Sequence, residues 1–154
     1  MAGDSAGGNL AAVVSVLARE RDGPEIDRQV LVYPWMDPAA RFDYESYKQN
    51  REPDYPGTGW PAGKYARDEL DHGNAYFAPI LARDISGLPP ATVIIAGFDA
   101  LRDEGIDYGE RLQEAGVETT IENFAAMNHG FVNLLGLVDR AEDAIDVIVR
   151  THDF

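Results

Sequence analysis

The sequence predicts an α/β fold, a parallel sheet with helices on its faces, and three observations carry that prediction. Two near-continuous apolar runs of strand length, Gln29 to Tyr33 and Ala91 to Gly97, read as strands buried on both faces. Stretches with apolar residues at helical spacing alternate with the strand-like ones, which is the order of a parallel sheet with crossover helices. Finally, Gly3, Asp4, Ser5, Ala6 and Gly7 spell G-x-S-x-G directly ahead of a helical stretch, the pattern of a serine held on a sharp strand-to-helix turn. At 154 residues with no internal repeat, the chain is sized for one domain, residues 1–154.

The first helix is expected over Asn9 to Arg19, rich in Ala, Val and Leu and free of Gly and Pro. The glycines around Ser5 answer a steric problem: when the serine is forced into an unfavourable backbone region, the residues two before and two after it crowd each other. A plainer reading also fits these first residues, in which Asp4 or Ser5 simply caps the helix. The segment Arg21 to Asp27, with Gly23 and Pro24, reads as a surface loop before the strand at Gln29 to Tyr33, which Pro34 ends. Asp37, just past that end, reads as a turn former, with a catalytic role as the lesser alternative.

From about residue 39 to 74 the periodicity is broken by Pro53, Pro56, Gly57, Gly59, Pro61 and Gly63. The same stretch holds Phe42, Tyr44, Tyr47, Tyr55, Trp60 and Tyr65. Disordered segments are poor in aromatics, so this insertion reads either as a cap over a pocket or as an ordered structural insertion without ligand contact. The chain then returns to the core through Tyr76, Phe77 and Pro79. Ala91 to Gly97 follows, then a helix over Asp103 to Ala115 with Ile106, Leu112 and Ala115 on one side and Gly116 as its stop. Alternation over Glu118 to Phe124 predicts a half-buried edge strand, and Asp139 to Thr151 closes the chain as a helix.

The net charge of −14, from 27 acidic and 13 basic residues, repels nucleic acid and anionic membranes, so neither is expected as a partner. Acidic charge spread through every segment suggests a surface adapted to high salt. There is no cysteine, which excludes disulfides and thiolate metal sites. No apolar run reaches membrane-spanning length and the first residues do not resemble a signal peptide, so the expectation is a soluble, cytoplasmic chain.

A serine hydroxyl becomes a competent nucleophile when a base takes its proton, and that base needs an acid to fix its tautomer. Ser5, Asp99 and His129 occur in that order, each at or just after the C-terminal end of a predicted strand, where open α/β sheets gather their functional groups. His72 lies in the insertion and His152 at the C-terminus, so position selects His129, beside Gly130. Asp103 is the rival acid, better placed to charge a helix start. The backbone N–H of Ala6, at the first helix's N-terminus, is the candidate oxyanion donor.

Together, Gly3 to Ala12 (GDSAGGNLAA), Tyr33 and Pro34, Leu88 to Ala91 (LPPA), Gly97 to Gly105 (GFDALRDEG) and Asn128 to Phe131 (NHGF) resemble the hormone-sensitive-lipase-like carboxylesterases of the α/β-hydrolase superfamily. The resemblance implies Ser5 as nucleophile, Asp99 as acid, His129 as base and Ala6 N–H as one oxyanion donor. It also implies a small-molecule ester of short or medium acyl chain as substrate, with no cofactor and no metal. Family members carry further strands, a cap and a His-Gly-Gly motif ahead of the elbow. By that comparison the chain looks like the C-terminal part of an α/β-hydrolase fold with its N-terminal strands missing. Three expectations follow: the strand that should hold Ser5 is essentially absent, the strand at Gln29 to Tyr33 exposes an apolar edge, and the strain at the elbow is lost. The alternatives are an impaired fragment that forms a homodimer or pairs with an N-terminal half through that edge, and a related serine peptidase or amidase.

Overall fold

The computed structural model describes residues 1–50 and 63–151 of the chain. Among these, four strands form one parallel sheet in the order β1-β2-β3-β4: β1 Ala2–Asp4, β2 Gln29–Val32, β3 Ala91–Phe98 and β4 Thr119–Asn128. The helices are α1 Ala6–Glu20, the short α2 Glu45–Gln49, α3 Arg102–Glu114 and α4 Asp139–Arg150. The sequential order of strands follows from the alternation of strand and helix read in the sequence.

The central strands β2 and β3 are buried on both sides, which explains why they carry no polar alternation. Leu31 of β2 and Val93 and Ile95 of β3 face Ala12 and Val16 of α1 and Tyr108 and Leu112 of α3. Their neighbours Val30, Val32, Ile94 and Ala96 face the other way, onto Ala141 and Ala144 of α4 with Phe124 and Phe131. β4 lies at the end of the described sheet and is largely exposed, in keeping with the edge strand read from its alternation.

Two expectations about the first strand are overturned. Ala2, Gly3 and Asp4 do form a strand, paired in register with Val30, Leu31 and Val32, because three residues suffice for a parallel ladder when the partner strand is already fixed. β2 is therefore covered on both flanks, by β1 and by β3, and all four of its residues are buried. The apolar stripe of α3 also differs from the one expected. Glu104, Gly105, Tyr108, Gly109 and Leu112 are buried, whereas Ile106 and Ala115 are only half-buried. A carboxylate and a phenol on the inner face hid that stripe from a reading of apolar spacing.

Of the insertion, residues 51–62 lie outside the described residues, and with them Tyr55, Trp60, Pro53, Pro56, Gly57, Gly59 and Pro61. His152 does too. The segment before them rides on α3: Ser46 N–H donates to Asp103 Oδ2 (2.7 Å), its hydroxyl to Ala100 O (2.7 Å), and Tyr44 OH to Asp107 Oδ2 (2.5 Å). No helix among the described residues is long and apolar enough to cross a membrane.

Candidate active site

Every strand of the sheet delivers a residue to one place at its carboxyl edge. Ser5 follows β1, Tyr33 follows β2, Asp99 follows β3 and His129 follows β4. Ser5 sits at φ 54° and ψ −120°, a region that costs a non-glycine residue on the order of 1–3 kcal/mol. The expected loss of elbow strain is thus a further correction. What holds the residue there is backbone bonding on both sides: Ser5 N–H donates to Val32 O (2.9 Å), and Ser5 O accepts from Trp35 N–H (3.1 Å) and Asn9 N–H (3.3 Å). The Ser5 side chain makes no cap bond to α1, so the plainer helix-cap reading does not describe it.

The crowding expected at the elbow is real but one-sided. A Cβ on Gly3 would lie 2.2 Å from Gly7 O, while one on Gly7 would meet nothing nearer than 3.8 Å. Of Gly3 and Gly7, Gly3 is the one sterically required, because it is aimed at the other's backbone; Gly8, next along, is closed instead by Pro34, whose Cβ would lie 2.7 Å away.

His129 joins the other two groups. Its Nδ1 lies 2.6 Å from Asp99 Oδ2 and its Nε2 lies 2.9 Å from Ser5 Oγ. A carboxylate can only accept at Nδ1, so the ring carries its proton there and leaves Nε2 free to accept the serine hydroxyl proton. The Asp99 side chain is 3% exposed and the imidazole 38%, so the carboxylate is shielded while the imidazole opens to solvent. The other Asp99 oxygen accepts from Leu101 N–H (2.9 Å). Gly130 has φ 82°, a left-handed turn, with nothing within 4 Å of a hypothetical Cβ. Its backbone angle, and not a lack of room, is what calls for glycine.

The rival groups lie elsewhere. Asp103 accepts from Ser46 N–H and from Arg102 Nε (2.7 Å), and these donors hold its carboxyl below the usual range in spite of partial burial. Asp37 is fully buried and accepts from Phe42 N–H (2.9 Å), the turn role read for it. His72 stacks on Phe77. Ala6 is the first residue of α1, where a helix N–H has no intrahelical acceptor. Among the described residues, no three His, Asp or Glu side chains are grouped as a metal ion requires.

Several contributors escaped the reading of the sequence. Asn50 donates its side chain to Asp99 O (3.1 Å), tying the insertion to the acid loop. Glu104, fully buried, accepts from Met36 N–H (2.7 Å), from the Asp37 backbone and from Tyr47 OH. It braces the loop whose Trp35 N–H bonds Ser5 O. Burial pushes its carboxyl up to about 8, against the pull of those donors. Tyr33 packs its ring on His129, with centroids 4.6 Å apart. The sequence offered two signals for Tyr33, its position at a strand's carboxyl end, which also singled out Asp99, and its place with Pro34 among the residues that carry the family resemblance, and neither spoke of a contact with His129.

The alpha/beta hydrolase fold family model matches residues 1–133. The chain is 37% identical over 153 residues to the esterase LipI of Mycobacterium tuberculosis, covering 94% of this chain and 46% of that one. It is 38% identical over 137 residues to an arylesterase of Saccharolobus solfataricus, with 84% and 43% covered. Among solved structures, a hyperthermophilic esterase from Pyrobaculum calidifontis superposes with TM-score 0.89 at 36% identity, covering 97% of this chain and 49% of its own. A thermostable esterase from Pseudomonas putida gives 0.84 at 38% identity, covering 93% and 46%. The chain thus spans about half the length of the relatives it matches. With the match running from the first strand through the residues that surround His129, the chain belongs to the α/β-hydrolase fold family, in its hormone-sensitive-lipase-like branch.

Proposed function

We propose that this chain carries the nucleophile, base and acid of a carboxylesterase acting on small esters of short to medium acyl chain. The observation that supports this reading most is a single imidazole bonded at one nitrogen to a buried carboxylate and at the other to a strained serine. In the proposed reaction His129 Nε2 takes the Ser5 hydroxyl proton as Oγ attacks the ester carbonyl. Asp99 holds Nδ1–H and stabilises the imidazolium. The developing oxyanion takes a hydrogen bond from Ala6 N–H at the positive end of α1. His129 then gives its proton to the leaving alcohol, and water, activated at the same nitrogen, releases the acyl group. The esterases named above favour ester over amide substrates for this site. p-Nitrophenyl acetate and butyrate turnover by the parent and by Ser5→Ala is the test. Activity confined to the parent is expected; equal rates would remove Ser5 from the reaction.

A second reading has its own support. β1 hydrogen-bonds only β2 among the described strands, and Met1, Leu10 and Val14 beside it are 50%, 50% and 37% exposed. We infer that this flank associates, with a second copy or with a further segment of an α/β hydrolase, because an open strand edge beside apolar side chains is a pairing surface. Light scattering is the check, and a monomer at every concentration would dismiss self-association.

A further inference from the structure

Tyr33 combines three features that the proposed reaction leaves unused. It is a non-glycine residue at φ 35°, fully buried, and set at the carboxyl end of β2. Such a conformation persists only where the surroundings over-determine it, and it concentrates at functional sites. Here the surroundings are the two ends of the His129 loop. The Tyr33 ring lies 4.6 Å from the imidazole, tilted by 54°, and 6.0 Å from the Phe131 ring. Its hydroxyl oxygen accepts from Val132 N–H and from Asn133 Nδ2 (3.3 Å), in the turn Phe131–Asn133 directly after His129 and Gly130. Asn133 Nδ2 also reaches Asp4 Oδ2 (3.3 Å), one residue before the nucleophile.

We propose that Tyr33 is a positioning residue for His129: its ring supports the imidazole and favours its protonated form, and its hydroxyl pins the following turn against the elbow. The inference rests on the proposed role of His129 as base. An aromatic face within about 6 Å of a cation attracts it. The imidazolium arises only when the Ser5 proton has moved, so the ring stabilises the state in which charge has developed. Asp99, at Nδ1, and Asp4, across the Asn133 bridge, are the other charged groups around the site, and both act on Tyr33 as well. Burial, reinforced by those two carboxylates, pushes the phenol up to about 12, so Tyr33 adds no charge of its own beside the imidazole.

The test compares the parent, Tyr33→Phe and Tyr33→Leu by the rate at which a fluorophosphonate labels Ser5 across pH, with Ser5→Ala as control. Tyr33→Leu is expected to label about three- to fivefold more slowly at the plateau, with the acidic limb of the profile moved about half a pH unit lower. Tyr33→Phe keeps the ring, so its limb should coincide with the parent's while its plateau drops. A leucine variant whose limb stays where the parent's is would overturn the ring's role, since mere loosening lowers the rate without moving the limb. Should Tyr33→Leu not fold, the parent decides: nuclear Overhauser contacts between the Tyr33 ring protons and those of the His129 imidazole are expected, and their absence refutes the packing. A parent that labels no faster than Ser5→Ala refutes the nucleophile reading instead, which keeps the two failures apart.

Discussion

Asp99 and Glu104 leave the same junction between β3 and α3, and both are almost wholly buried, yet their surroundings assign them opposite tasks. Asp99 gives one oxygen to an imidazole that faces solvent and the other to its own loop. Glu104 gives both oxygens inward, to the backbone of the loop behind the elbow and to the Tyr47 phenol of the insertion. Under the proposed reaction, the task of a carboxylate here is set by which element supplies its donors, and burial alone does not separate the proposed acid from a brace.

That contrast can be broken most sharply by removing one carboxylate at a time. Asp99→Asn should lower Ser5-dependent turnover by about 10⁴-fold, the size of effect seen when a triad acid loses its charge, and should leave the thermal midpoint nearly in place. Glu104→Ala should do the reverse in emphasis. It orphans two buried N–H groups and a phenol, at about 1–3 kcal/mol for each group left without an acceptor, which urea denaturation would read as a lower midpoint. If the two variants lost activity and stability in the same proportion, the division of labour would be wrong.

The pH dependence of stability sharpens the same contrast. Because burial raises Glu104 from an ordinary 4.5 to about 8, the folded state favours its protonated form. Its contribution to stability is fully present below about 4.5 and is lost as the pH rises through about 8. Glu104→Gln cannot ionise, so the stability of the parent relative to this variant should fall between pH 5 and pH 9. A constant difference across that range would mean that Glu104 does not titrate there.

The sheet was legible in the sequence because its central strands are buried on both faces and so carry a signal that needs no context. Ser5, Asp99 and His129 were legible as strand-end residues in a fixed order. What escaped was polar burial. Glu104 and Tyr108 occupy the inner face of α3, where spacing rules look for aliphatic side chains, so the helix was read with the wrong stripe. Tyr33 was read only as part of the family resemblance, because its contacts depend on a positive φ and on a turn a hundred positions away, at Asn133. β1 was discounted because its stability lies in the register with β2 rather than in its own three residues.

Smaller effects complete the comparison. Asp103→Asn, beside Asp99 in sequence but bonded to Ser46 and Arg102, should change turnover by less than about threefold, equivalent to well under 1 kcal/mol at the transition state. A larger loss would reinstate it as the acid. Raising KCl from low to molar concentration should raise the thermal midpoint modestly, by screening the net charge of −14; a flat response would dismiss the idea of a surface adapted to salt.

The most direct measurement is the intact mass of the protein after reaction with a fluorophosphonate, followed by peptide mapping of the parent, Asp99→Asn and Ser5→Ala. One adduct per chain on Ser5 of the parent, formed far more slowly in Asp99→Asn and not at all in Ser5→Ala, is the expected result. An unlabelled parent, or an adduct on any other residue, would contradict the claim that this chain assembles its own serine, histidine and aspartate into a working relay.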